Sequence, residues 1–327
     1  MYKRQRLYVD DKLLIDGWGK DKSADQALDF HFEAGRTYKI RIEFVNDRRG
    51  ARVIFGYSAG RENFPAAVEA ARKADVAILC MGDNEETSGE NFDRTDLNLP
   101  GRQLELVQAV YATGTPVVLV LQSGRPVTAN WENDHLPAIL EAWFPGEQGG
   151  TAIAKTLFGD AAPGGRLPIT FPRSVGQIPC HYSRRPGGGK RYVEMDWLPL
   201  YPFGYGLTYT TFAYRDMALS RSVIDPQDTV TVSVTVTNTG KYTGDAVPQL
   251  YVRDMFSSVV KPERQLAAFR RLTLAPGESR RVELTVGPKQ LRTLGPDYVW
   301  RVEPGKFELQ LGDNAENILL RADLTVE

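Results

Sequence analysis

Apolar positions along the chain follow three successive rhythms. Up to about residue 60 they alternate. Leu7-Tyr8-Val9 and Leu13-Leu14-Ile15 flank Asp10-Asp11-Lys12, which reads as the polar turn of a hairpin. After the turn chemistry of Ala34-Gly35, the apolar residues Tyr38, Ile40, Ile42 and Phe44 recur at every second position as far as Val45. That spacing places them on one face of a strand. Arg52 to Tyr57 reads as a further strand. A β region of about five strands is expected, with a core that is marginal for so short a stretch.

From 61 to 215 the rhythm becomes helical and extended by turns. Ala67, Ala70, Ala71 and Ala74 share a helix face within Phe64 to Ala74. Asp75 to Met81 carries an uninterrupted apolar run and is predicted as a buried strand. Leu104 to Tyr111 is predicted as a helix stopped by Gly114. Pro116 to Leu121 is too uniformly apolar for a half-exposed strand and reads as a parallel one. Ile139 to Trp143 reads as a short strand, and Gly149 to Phe158 as a helix ended by Gly159. Strand and helix in alternation predict right-handed crossovers and an open, mainly parallel α/β sheet with helices on both faces.

From 216 to 327 period-two alternation returns. Val230, Val232, Val234 and Val236 face one side, and Thr231, Ser233, Thr235 and Thr237 the other. Pro276-Gly277 and Pro304-Gly305 mark turns between further short strands. Seven or so strands so punctuated predict an immunoglobulin-like sandwich. The missing cysteine pair favours the fibronectin type III-like variety. The expected organisation is therefore 1–60, 61–215 and 216–327.

Composition adds limits. At 327 residues the chain is long for a single core. Forty basic and 41 acidic residues leave a net charge of −1, which argues against a nucleic-acid partner. No apolar run approaches the roughly 20 residues that span a bilayer, so no membrane partner is expected. The opening Met1-Tyr2-Lys3-Arg4-Gln5-Arg6 shows no signal pattern, and periplasmic, secreted and cytoplasmic locations all stay open. Cys80 and Cys180 are the only cysteines; Cys80 sits in the expected buried strand and reads as a small core hydrophobe. His31, His135 and His181 are scattered and read as structural. Neither a metal nor a cofactor is expected.

The densest chemistry lies after the first strand of the α/β region, in Gly82-Asp83-Asn84-Glu85-Glu86-Thr87-Ser88-Gly89-Glu90-Asn91-Phe92-Asp93-Arg94. This acidic, glycine-punctuated loop stands at the carboxyl end of a strand, the edge where open α/β sheets place their ligands. A general acid needs a positioned carboxyl group beside negative charge or apolar cover. Glu90 fits, with Gly89 before it and Phe92 and Asp93 after it. Arg94 is expected to pair with an acid and, with Asp93, to structure the loop. A solvated acidic loop is the plain alternative. Phosphate binding is disfavoured because Gly82 and Gly89 are far apart and the acids repel it. A divalent ion on Asp83, Glu85, Glu86 and Asp93 is the weaker reading, because the EF-hand spacing is absent. Trp143-Phe144 ends a strand at the same edge, so Trp143 offers a substrate-contacting wall, with core packing the plain alternative. Gly187 to Tyr192 reads as a loop leading to Trp197 and Tyr201, which would cover a pocket mouth or, the favoured reading, meet the fibronectin-like region at an interface. Ser123 lacks the glycine-flanked elbow of a serine nucleophile.

Several motifs resemble glycoside hydrolase family 3. They are Ser88 to Arg94 with Leu97-Asn98-Leu99-Pro100 and Gln103; Val118 to Val127; Trp143-Phe144-Pro145-Gly146-Glu147-Gln148-Gly149-Gly150; Leu157 to Pro168; and Tyr201-Pro202-Phe203-Gly204-Tyr205-Gly206-Leu207-Thr208-Tyr209. Leu7 to Asp16 resembles the second half of a PA14 domain. The resemblance implies a retaining β-glucosidase-type enzyme acting on a β-linked oligosaccharide or glycoside. Its catalytic Asp nucleophile would come from a barrel domain that is not in this chain. Glu90 would be the acid/base and Phe92 a stacking platform for the leaving group. Retaining chemistry sets two carboxyl groups roughly 5–5.5 Å apart. A β-xylosidase specificity and a stand-alone carbohydrate-binding or adhesion module are the alternatives.

Overall fold

A computed structural model describes residues 3–18, 28–46, 53, 55–56, 64–187 and 191–327. The chain divides into two compact units, Met1–Glu62 and Asn63–Glu327.

In the first unit, β1 (Lys3–Val9), β2 (Lys12–Asp16) and β3 (Ile40–Asn46) form an antiparallel sheet in the order β2-β1-β3. Asp10 and Asp11 take left-handed backbone (φ 48 and 60), as a tight hairpin turn requires. The Asp10 carboxylate accepts the Lys39 N–H at 2.9 Å, tying the turn to the start of β3. Val9 is the one buried apolar side chain among the described residues here. The strand expected over Arg52 to Tyr57 lies largely outside the described residues, and Val53, Phe55 and Gly56 are not in one.

The second unit begins with α1 (Pro65–Arg72), β4 (Ala77–Gly82), α2 (Gln103–Tyr111), β5 (Val117–Gln122), α3 (Asn130–His135), β6 (Ala138–Glu141) and α4 (Gly149–Leu157). The three strands form a parallel sheet in the order β4-β5-β6, with Ala77 opposite Val117 and Leu121 opposite Glu141. Val107 and Val110 of α2 and Ala71 of α1 pack with Val117, Leu119 and Leu121 of β5 in one buried cluster. Cys80 corrects the sequence reading: it is exposed, not a core residue. The cause is position. β4 is an edge strand hydrogen-bonded only to β5, and its alternate residues Ile78 and Cys80 face no cover among the described residues. The six-residue α3 was not expected, being too short to show a helical period.

Residues 158–211 are mostly irregular and run against both halves of this unit. Phe171 bridges Tyr201, the Leu167 N–H donates to the Tyr205 carbonyl and the Gly204 N–H to the Leu167 carbonyl, each at 2.8 Å, and the Ala315 N–H reaches the Phe203 carbonyl at 2.9 Å. Beyond them lies a β-sandwich. One sheet orders Ser279–Val286, Val230–Asn238 and Phe212–Leu219. The other orders Gln265–Phe269, Gln249–Asp254, Gly305–Gly312, Ile318–Val326 and Val223–Ile224. Val230, Val232, Val234 and Val236 are wholly buried between the sheets against Leu250, Leu309 and Leu311, as their alternation predicts.

Candidate active site

The site begins where β4 stops. Gly82 pairs with Gln122 of β5 and has φ +140, in a region that only glycine occupies easily. A Cβ at Gly82 would fall 2.0 Å from the Gln122 carbonyl oxygen, so the close approach itself requires glycine. Gln103, at the start of α2, clamps the same residue. Its Oε1 accepts the Gly82 N–H and its Nε2 donates to the Gly82 carbonyl, both at 2.8 Å.

Asp83 follows, with a side chain only 3% exposed. Its carboxylate gathers four groups: Ser123 Oγ at 2.7 Å, Thr87 Oγ1 at 3.0 Å, Arg94 Nη1 at 3.3 Å and Arg125 Nε at 3.5 Å. Arg94 also binds Asp96 at 3.3 Å and the Asn98 carbonyl at 3.1 Å. Arg125 reaches back toward the Thr87 carbonyl and Ser88 Oγ, each at 3.5 Å. Asn84 Oδ1 accepts the Glu86 and Thr87 N–H groups, the side-chain turn that Asn favours. One buried acid held by two guanidinium groups therefore ties both limbs of the loop to the end of β5.

Glu90 sits away from that hub. It is exposed and has no hydrogen-bond or ion-pair partner among the described residues. Asn91 beside it is left-handed (φ 66), and the half-exposed Phe92 ring lies 3.2 Å from where a Gly89 Cβ would stand. Asp93, expected to help structure the loop, is exposed and likewise without a partner; the acids that Arg94 meets are Asp83 and Asp96. Neither a cavity of about 430 Å³ lined by Gln177, Tyr182 and Trp197 nor a void of about 10 Å³ around Asp83 includes Glu90, Phe92 or Trp143. Asp83 is filled by arginines, and no group of three or more His, Cys, Asp or Glu among the described residues is arranged to hold a metal.

Trp143 lies two residues past β6, in left-handed backbone (φ 53). Its N–H donates to Glu141 Oε1 at 2.9 Å, and its ring meets Phe171 edge to face at 5.7 Å. Burial pushes the Glu141 carboxyl up to about 7, against the opposing pull of the Trp143 N–H. Glu141 Oε2 is buried with no hydrogen-bond partner. Phe144 covers Gly124, where a Cβ would sit 2.6 Å from the ring, so the ends of β5 and β6 touch. Among the described residues no hydrogen bond or ring contact joins Trp143 to the Glu90 loop. Sequence reasoning missed the Asp83–Ser123–Arg125 cluster. The Ser-Gly-Arg run after β5 carried the signal, since a hydroxyl and a guanidinium at a strand end sit opposite the acid that ends the neighbouring strand. His135 is structural, stacked on Trp131 at 4.3 Å. Tyr201, expected at the interface with the fibronectin-like region, instead donates to Asn133 of α3 at 2.8 Å, and Trp197 lines a cavity.

The glycosyl hydrolase family 3 C-terminal domain matches residues 11–209, and a fibronectin type III-like domain matches residues 246–315. The chain belongs to glycosyl hydrolase family 3. A β-xylosidase of Formosa agariphila is 45% identical over 89% of this chain and 42% of its own length. A periplasmic β-glucosidase of Salmonella typhimurium is 42% identical over 77% of the chain and 34% of its length. Among solved structures, a β-glucosidase of Erythrobacter marinus superposes with a TM-score of 0.78 at 41% identity, over 80% of this chain and 36% of that one. The chain thus spans well under half the length of the family members it matches. The family match starts at residue 11, inside the amino-terminal β unit.

Proposed function

We propose that the chain is the carboxyl-terminal part of a retaining exo-β-glycosidase of the β-glucosidase type, with Glu90 as its general acid/base. The observation that carries this reading is the contrast within one loop. Asp83, Arg94 and Arg125 fix the loop base, while the Glu90 carboxyl is left exposed and unpaired at the carboxyl edge of a parallel sheet. In this mechanism an Asp nucleophile on a barrel domain outside this chain attacks the anomeric carbon, while Glu90 gives its proton to the departing glycosidic oxygen. The Glu90 carboxylate then takes a proton from the water that opens the covalent glycosyl intermediate. Phe92 offers its exposed ring to the leaving group and Trp143 forms a further wall. Residues 1–60 are read as part of a PA14 domain. The 45% identity to a β-xylosidase favours a second specificity, for β-xylosides.

Glu90→Gln in the enzyme that includes the barrel tests this. Because Glu90 is exposed and unpaired, its melting temperature should match the parent. Hydrolysis of cellobiose should fall by on the order of 10²–10⁴, the share that general acid–base catalysis supplies. Nitrophenyl β-glucoside, whose leaving group needs little protonation, should lose less in the glycosyl-transfer step. Equal activity of variant and parent on cellobiose would refute the assignment. The chain alone should release no nitrophenol from the β-glucoside or the β-xyloside.

A further inference from the structure

The cavity of about 430 Å³ in the second unit lies in the irregular segment that follows the parallel sheet, at its meeting with the sandwich. Its volume falls in the range of small-molecule sites. Its walls are braced by neighbouring side chains and backbone. Tyr182 stacks on Phe203 at 4.2 Å and accepts the Leu266 N–H on its hydroxyl at 3.1 Å. Arg184 lies over the Trp197 ring at 4.5 Å while Glu316 holds its guanidinium at 2.7 Å and Glu263 at 3.3 Å. Gln177 is buried and donates to the Trp197 carbonyl at 3.0 Å. Aromatic surface braced by these contacts is thus presented to an open space.

The polar lining is unbalanced. Glu316 is occupied by Arg184 and Arg264, and Glu263 by Arg184, so these charges answer one another. His181, Ser183 and Arg185 also line the cavity, and among the described residues none of them has a hydrogen-bond or ion-pair partner. Three unused donors, one a permanent cation, stand beside aromatic walls with no unpaired acid to oppose them. An Arg fork of this kind suits a carboxylate, and the ring faces suit a flat or pyranose ring.

We propose that this cavity binds a small ring-bearing carboxylate, with Arg185 holding the carboxylate and the Trp197–Tyr182 walls holding the ring. The inference does not depend on the role of Glu90. Two sources share the chemistry: a sugar acid and an aromatic acid.

Titration calorimetry of the chain with glucuronate and with 4-hydroxycinnamate tests it, with glucose as a ring lacking charge and acetate as a charge lacking a ring. Saturable binding of either acid, at least about tenfold tighter than both controls, is expected, and the tighter one names the source. Arg185→Ala should weaken that binding by about tenfold or more, the loss of one charged hydrogen bond. Arg185 is exposed, so the variant should fold; circular dichroism identical to the parent checks this. A perturbation of the Trp197 indole signal on binding places the ligand. Binding that survives in Arg185→Ala, glucose or acetate binding as tightly as the acids, or no saturable binding by either acid overturns the proposal.

Discussion

Glu141 makes stability depend on pH in a direction opposite to that of most carboxylates. Its carboxyl is raised from 4.5 to about 7 by burial, and no charged neighbour contributes. Between these values the native state keeps a proton that the unfolded chain has released. Stability therefore falls as pH rises through this window. The contribution is fully present below about 4.5 and gone above about 7. The interval corresponds to ~3 kcal/mol at 1.36 kcal/mol per pH unit, an upper figure because opening of the sheet edge relieves part of it. Glu141→Gln keeps an oxygen for the Trp143 N–H and cannot ionise. Urea unfolding of parent and variant at pH 5, 6, 7 and 8, followed by tryptophan fluorescence, reads the difference between the two, in which every other titrating group cancels. Near parity is expected at pH 5, and the variant should gain by up to ~3 kcal/mol at pH 8. A difference that stays flat from pH 5 to 8, or a variant that loses ground as pH rises, would refute the reasoning.

Gly82→Ala places a methyl group 2.0 Å from the Gln122 carbonyl at φ +140, so the β4–β5 pairing should break, with a loss above about 3 kcal/mol; an unchanged melting temperature contradicts this. Asp83→Asn removes the charge from between Arg94 and Arg125 and should cost about 3 kcal/mol. Trypsin should then cut the chain after Arg94 faster than in the parent, and equal cleavage rates would show that the carboxylate does not anchor the loop. In the sandwich, Leu309→Ala opens a cavity at a fully buried position and should cost 2–5 kcal/mol by thermal unfolding, in the range typical of such truncations.

The fold was legible wherever a period was long enough to count. The Val230 to Val236 alternation marks a strand with one face wholly buried, and the Val-Leu run after Pro116 marks the central parallel strand. Cys80 was misjudged because an apolar run reports hydrophobicity and not coverage; whether a strand is central or at an edge depends on its neighbours. α3 escaped because six residues complete fewer than two turns. In the candidate site, Glu90 and Arg94 stood out through charge and glycine spacing. The partners that anchor the base of their loop did not, since Ser123 and Arg125 lie some forty positions along the chain and reach Asp83 only through parallel pairing of β4 with β5. Glu141 was passed over because burial, not its neighbours in sequence, gives the carboxyl its character.

The seam between the irregular segment and the sandwich limits how this molecule can be divided. Gln249, buried, donates to the Gly204 carbonyl at 3.0 Å and to the Asp313 carbonyl at 2.6 Å, and a Cβ on Gly204 would collide with its side chain at 2.0 Å. Gly164 is also pressed against the Asp245 carboxylate, where a Cβ would fall 2.5 Å from the oxygen. A sandwich severed near residue 212 would carry away an amide shaped to fit a backbone it no longer has, and the remaining piece would expose a groove moulded to that amide. A chimera that grafts a foreign sandwich onto this α/β half must therefore import residues from about 160 onward together with it.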